Sequence, residues 1–224
     1  MSVGHAMTFD ELRAKLLLYA VTDSAPRGKK RQRGSLVQAV DEAIAGGATF
    51  VQLREKEAAP EDVFFEAGEI KALCAARGVP FVIDDDVELA ARVDADGVHV
   101  GQEDTSLHEA RLTLAEGKIV GVSCQTVAQA VAAEAGGASY LGVGAVFPTH
   151  SKEDAALVSI ETLAAICRAV AIPVVAIGGI SETNMPLLKG TGVAGVALIS
   201  AIFGVPNIKE TTYQLRLMAE HLFG

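Results

Sequence analysis

The chain has 224 residues, half of them apolar, and a formal net charge of −9. That length suits one substantial domain or a single α/β barrel, and the negative charge argues against a nucleic-acid surface. No apolar stretch approaches the length needed to cross a bilayer. Asp10 and Glu11 follow Met1 where a basic, apolar secretion signal would lie, so a cytoplasmic location is expected. Cys74, Cys124 and Cys167 are too far apart for a CxxC unit, and Cys74 and Cys167 read as buried helix residues of a reducing compartment.

Taken in chain order, apolar or β-branched runs at 15–23, 49–56, 80–85, 97–102, 119–124, 140–147, 173–179 and 195–200 predict eight strands. Helical patterns at 35–47, 61–78, 86–93, 106–117, 126–137, 159–170, 183–190 and 209–223 alternate with them. Strands separated by short helices pair in parallel, with the helices covering the sheet. Eight units without a domain linker fit a single-domain (β/α)8 TIM barrel over residues 1–224 better than an open doubly wound sheet. An N-terminal extension of about a dozen residues precedes the barrel, and no strand leads into a GxGxxG run.

In such a barrel the chemistry sits at the C-terminal ends of the strands. In "VQLREK", alternation places Gln52, Arg54 and Lys56 on one side of the second strand, with Val51 and Leu53 on the other. Arg and Lys in phase form a fork for phosphate oxygens. The competing reading is an exposed strand end, or an ion pair with Glu55, the residue counted with this substrate-facing set.

"FVIDDDVELA" places three carboxylates behind the third strand. Asp86 is the natural cap of the following helix. Asp85, with Asp104 from the next strand end, makes a two-carboxylate site suited to Mg²⁺ bound against substrate phosphates, although Asp104 could equally cap the helix beginning near Ser106. Ser123, ending the fifth strand, offers a hydroxyl and an N–H to an anion, or caps its own helix. In "GAVFPTHSK", Thr149 and Ser151 suit phosphate and Lys152 suits leaving-group charge, while His150 reads as a solvated residue. Gly179, Ile199 and Ser200 fall where barrels form a backbone phosphate cup. Two anion sites of different character imply two phosphorylated substrates. The basic run at 26–34 reads either as a lid over them or as a solvated loop.

Running from "LYAVTD" through "VQLREK", "DDDVELA", "ADGVHVGQED", "GVGAVFPTHSK" and "PVVAIGGI" to "GVALIS", the chain resembles the thiamine phosphate synthase family, also called thiamine-phosphate pyrophosphorylase. The resemblance implies a TIM-barrel transferase of thiamine biosynthesis. It would join a hydroxymethylpyrimidine pyrophosphate to a thiazole phosphate, releasing pyrophosphate. It further implies a pyrimidine and pyrophosphate site at Gln52, Arg54, Lys56, Asp84, Ser123 and Lys152, with Mg²⁺ on Asp85 and Asp104. The thiazole phosphate would lie near Thr149, Ser151, Gly179, Ile199 and Ser200.

The expected mechanism is dissociative, with Arg54, Lys56, Lys152 and Mg²⁺ stabilising the departing pyrophosphate and no protein nucleophile. Two positions depart from the family pattern: Asp84 replaces an Asn, and Gln125 a common histidine. The first exchanges an amide donor for an acceptor-only carboxylate. The alternatives are a related barrel isomerase such as a thiazole tautomerase, which needs neither the cationic fork nor Mg²⁺, and a non-catalytic binding barrel. A homo-oligomer is left open by the sequence.

Overall fold

Alternation along eight short strands sorts their side chains between a barrel interior and a jacket of helices. A computed structural model describes this arrangement for residues 7–22, 35–149 and 156–224. The strands are β1 (Leu18–Val21), β2 (Phe50–Leu53), β3 (Phe81–Asp84), β4 (Gly97–Val100), β5 (Ile119–Cys124), β6 (Tyr140–Val143), β7 (Val174–Ile177) and β8 (Gly195–Leu198). All pair in parallel with their sequence neighbours, and β1 pairs with β8 to close the barrel. Each strand lies within its predicted run; β5 fills its run and the other seven are shorter, chiefly because the polar residues at the runs' ends belong to the mouth.

Outward residues such as Val51, Leu53, Val98, Val100, Leu141 and Val143 join one large core with the helices. Inward residues form a second cluster containing Tyr19, Val21, Phe50, Val82, Tyr140 and Val175. Tyr19, Phe50 and Tyr140 meet edge to face inside the barrel, with ring centroids 4.6 to 6.0 Å apart. Burying each such ring contributes about 1.5–3 kcal/mol. The rings fit because several other inward positions are small, namely Gly121, Gly142, Gly195 and Ala197.

The helices are α1 (Phe9–Lys15), α2 (Ser35–Ala45), α3 (Pro60–Arg77), α4 (Val87–Arg92), α5 (Leu107–Thr113), α6 (Val127–Ala135), α7 (Ile160–Ala169), α8 (Ser200–Phe203) and α9 (Ile208–Phe223). Pro60 opens α3, and Gly78 ends it at φ 63°, a left-handed conformation that glycine adopts without a Cβ penalty. Not foreseen was α1, which a Thr8–Glu11 capping box starts. Its Leu12 and the following Leu16 enter the inner cluster. The pattern at 183–190 forms only a 3-10 turn, Met185–Leu188, closed by i→i−3 bonds such as that from Leu187 N–H to Asn184 O at 3.0 Å. Cys74 is buried on α3, whereas Cys167 on α7 is only half-buried, and all three cysteines are free thiols. Among the described residues no helix is long and apolar enough to cross a membrane.

Candidate active site

The mouth is organised from β1 and β2 upward. Thr22 is fully buried and holds the first residue beyond β2: Arg54 N–H donates to Thr22 Oγ1 at 2.8 Å, and that hydroxyl donates to Arg54 O at 3.1 Å. As predicted, Val51 and Leu53 face the helices, while Gln52 turns inward and is buried. Arg54 and Lys56 lie past the ladder and converge on β3. Arg54 Nε stands 3.7 Å and Lys56 Nζ 3.4 Å from Asp84 Oδ2, and Lys56 Nζ also contacts Asp85 Oδ2. Glu55 folds back, its carboxylate accepting from the N–H groups of Glu57 at 2.9 Å and Ala58 at 3.3 Å.

A sharp turn separates the three aspartates. Asp85 has φ 61°, a left-handed value that Asp tolerates better than most side chains. Its N–H donates to His99 O on β4 at 2.8 Å, and Asp86 N–H donates to Asp84 O at 2.7 Å. The side chains therefore diverge. Asp84 faces the barrel, Asp85 meets Lys56, and Asp86 caps α4 by accepting from Leu89 N–H at 2.8 Å, the role the sequence predicts for it.

Asp104 does not cap the next helix. Ser106 does so with Glu109 in a capping box, while Asp104 accepts from Gly101 N–H at 2.9 Å. Burial, and then the hydrogen-bonded Asp85 carboxyl beside it, push the Asp104 carboxyl above the usual aspartate range. Two carboxyls in contact at adjacent strand ends, with an ammonium already drawn to one of them, make a place for added positive charge. Among the described residues no group of three or more His, Cys, Asp or Glu could hold a metal ion. A two-carboxylate donor set still fits Mg²⁺, which fills its remaining positions with water and substrate phosphate.

Lys56 is affected by burial, which lowers its pKa. The Asp85 hydrogen bond and the Asp84 charge outweigh that effect and hold the pKa above the ordinary lysine value. It is therefore a permanent cation at neutral pH. Burial raises the Asp84 carboxyl, and the Lys56 and Arg54 charges only partly offset this.

Below these groups lies a feature not identified from the sequence. Gln52 Nε2 donates to Asp84 Oδ1, and Gln52 Oε1 is 2.5 Å from Tyr19 Oη. Tyr19 Oη lies 2.8 Å from Tyr140 Oη, which lies 2.9 Å from His99 Nδ1. His99 Nε2 is in turn 2.9 Å from Ser123 Oγ. Six residues on six strands thus form one hydrogen-bonded chain across the barrel. A Cβ at Gly121 would stand 2.3 Å from Tyr140 Cζ and 2.5 Å from His99 Nδ1, so the missing side chain makes room for the link. The available signal was alternation: in "GVHV" the two valines face the helices, which sends His99 inward. Thr126 caps α6 with Gln129, so Ser123 is not that helix's cap.

Across the mouth, Gly179 follows β7 with φ 65°, and a Cβ there would come within 2.4 Å of Pro148 O. Asn184 Nδ2 donates to Gly179 O at 2.9 Å, steadying this turn. Ile199 and Ser200 open α8 after β8, where the first N–H groups of a helix have no intrahelical acceptor. Thr149 is half-buried on the approach from β6. The residues Ser151, Lys152 and His150, with the basic run at 26–34, lie outside the described residues.

Comparison with known proteins points one way. Residues 18–202 match the family model described as thiamine monophosphate synthase. A thiamine-phosphate synthase of Clostridium tetani (strain Massachusetts / E88) is 45% identical over 198 residues, 88% of this chain and 93% of that one. Another, from Ruminiclostridium cellulolyticum, is 46% identical over 198 residues, 88% and 92% of the two chains. The solved structure of thiamine phosphate pyrophosphorylase from Pyrococcus furiosus superposes with a TM-score of 0.84 at 38% identity, covering 95% of this chain and all of the other.

Proposed function

The chain belongs to the thiamine monophosphate synthase family, and from that membership we propose how its barrel mouth carries the reaction. The enzyme is a transferase that condenses hydroxymethylpyrimidine pyrophosphate with thiazole phosphate to give thiamine phosphate and pyrophosphate. The observation that carries the assignment of residues is the convergence of Arg54 and Lys56 on Asp84 Oδ2, beside the Asp85–Asp104 pair. Cations already neutralised by carboxylates at a strand end can be taken over by a pyrophosphate at little cost in new desolvation.

In this reading Arg54, Lys56 and Lys152 grip the pyrophosphate. Gln52, Glu55, Asp84 and Ser123 shape and orient the pyrimidine end of the site. Thr149 and Ser151, with backbone groups of Gly179, Ile199 and Ser200, hold the thiazole phosphate. As the bond between the exocyclic carbon and the pyrophosphate oxygen breaks, its electron pair leaves with the pyrophosphate. The three cations stabilise that charge. The electron-rich aminopyrimidine bears the resulting positive charge, and the thiazole nitrogen supplies the pair for the new carbon–nitrogen bond. Barrel walls that position both substrates contribute most of the remaining advantage.

Asp85 and Asp104 would hold Mg²⁺, which supplies charge neutralisation for the pyrophosphate when bound. A reducing, cytoplasmic setting suits the three free thiols.

The test is an assay with both phosphorylated substrates and Mg²⁺, following thiamine phosphate and pyrophosphate together. Formation of the two products in equal amounts is expected. Their absence, with isomerisation of the thiazole phosphate in their place, would overturn the reading.

A further inference from the structure

The chain of hydrogen bonds beneath the mouth has a direction, and one carboxylate sets it. Asp84 Oδ1 can only accept, so the Gln52 amide must present its NH₂ there and its Oε1 to Tyr19. An amide oxygen also only accepts, so the single Tyr19 hydroxyl proton is committed to Gln52. Tyr19 Oη can then only accept from Tyr140, whose proton is spent in turn. Tyr140 Oη must therefore accept from His99 Nδ1–H. In the neutral imidazole Nε2 is left with a lone pair, and Ser123 Oγ–H donates to it. Burial raises both tyrosine hydroxyls well above their ordinary range, which keeps their protons available to donate.

We propose that Asp84 is a positioning residue. Acting through Gln52, Tyr19 and Tyr140, it holds His99 as the Nδ1–H tautomer and so turns Ser123 into a hydrogen-bond acceptor toward the substrate. The four middle members, Gln52, Tyr19, Tyr140 and His99, are buried, while the ends, Asp84 and Ser123, are partly exposed. The information set at the β3 end is therefore read at the β5 end. With its proton committed to His99, Ser123 Oγ meets the substrate with lone pairs alone. A group lying against it must donate, which excludes the hydroxyl-to-anion contact the sequence suggests. An amide in place of Asp84 could turn either end toward Gln52, and the chain would lose its fixed sense. This account of Ser123 rests on the proposed reaction, whereas the tautomer does not.

The experiment is long-range ¹H–¹⁵N correlation of the histidine side chains in the substrate-free full chain. The His99 signals are assigned by their loss in His99→Asn. The unsubstituted protein should show a protonated Nδ1 and a pyridine-type Nε2. Tyr19→Phe removes the hydroxyl between Gln52 and Tyr140, freeing the Tyr140 proton to donate to Nδ1. The ratio of Nε2–H to Nδ1–H tautomer should then rise by about tenfold or more. Asp84→Asn should shift it in the same direction.

An Nε2–H or doubly protonated ring in the unsubstituted protein would overturn the proposal without any variant. So would an unchanged ratio in either variant, given circular dichroism that matches the parent. Because the spectra need no substrate, failure of the proposed reaction in the assay leaves this result independent. In an active enzyme, Tyr19→Phe should also lower kcat/KM for the pyrimidine substrate while leaving KM for the thiazole phosphate unchanged. Equal loss for both substrates would mark Tyr19 as merely structural.

Discussion

Thr22 and Arg54 exchange two hydrogen bonds across the β1–β2 junction: Arg54 N–H donates to Thr22 Oγ1 at 2.8 Å, and Thr22 Oγ1 donates to Arg54 O at 3.1 Å. The buried hydroxyl thereby continues the pairing of the two strands beyond their last ladder residues. Thr22→Val keeps the shape and removes both bonds. It should cost about 1–3 kcal/mol of stability and, by loosening the base of Arg54, about tenfold in kcat/KM. Urea melts and steady-state kinetics of the same preparation check the two effects. Full activity in a destabilised variant would mean that the clamp serves only the fold.

Two glycines should respond in opposite directions to the same substitution. Gly121→Ala drives a Cβ into the Tyr140 and His99 rings, neither of which can move without breaking the buried chain. The expected loss is about 1–3 kcal/mol. Gly68 lies exposed in α3, and a Cβ there meets nothing within 4 Å. Gly68→Ala should stabilise the protein by about 0.5–1 kcal/mol. Thermal unfolding of the pair measures both. Equal shifts would contradict the packing inside the barrel.

The pH dependence of one surface pair can be signed. Asp94 is held below its ordinary value of 3.8, first by its hydrogen bond from Lys118. A depressed folded pKa contributes stability that is present above the unfolded value and lost as pH falls through the folded one. The Asp94 side chain is 82% exposed, so solvent screening keeps the contribution below about 1 kcal/mol. Asp94→Asn should therefore cost a few tenths of a kcal/mol at neutral pH, roughly the scale of an exposed pair. The difference should vanish once the pH lies below the folded pKa. Asn tolerates the left-handed φ of 52° at this position, so the substitution tests the charge alone. A gap that widens on acidification would reverse the sign argued here.

The acidic pair should respond to metal. Asp85→Ala and Asp104→Ala should each lower kcat/KM by roughly a hundredfold, about 2.7 kcal/mol of lost transition-state stabilisation. Addition of Mg²⁺ should raise the melting temperature of the parent more than that of either variant. Near-normal turnover by both variants at limiting Mg²⁺ would move the metal site elsewhere.

Much of the mouth was legible because it obeys alternation. In "VQLREK" the valine and leucine face the jacket, which leaves Gln52 inside and Arg54 and Lys56 at the rim. Asp86 was legible as a cap because an acid ahead of an apolar helical pattern has few other uses. The turn that sends Asp84 and Asp85 in different directions was not, since it depends on the left-handed φ of Asp85. The capping boxes at Ser106 and Thr126 were present as S-x-x-E and T-x-x-Q patterns. They release Asp104 and Ser123 from structural duty.

By itself, the sequence determined the eight strands, their parallel order and which face of β2 turns inward, because these follow from local periodicity and chain connectivity. The resemblance carried by its motifs pointed to the family. Only the tertiary structure decided which inward polar groups meet. Tyr19 and Tyr140 are 121 positions apart in the chain, and no local rule brings them together. Barrel closure does, setting each strand's stagger against its neighbours and leaving glycine-sized gaps where rings can touch. The buried chain from Asp84 to Ser123 exists because polar side chains taken inside had to find partners, and among the described residues no buried side-chain nitrogen or oxygen is left without one.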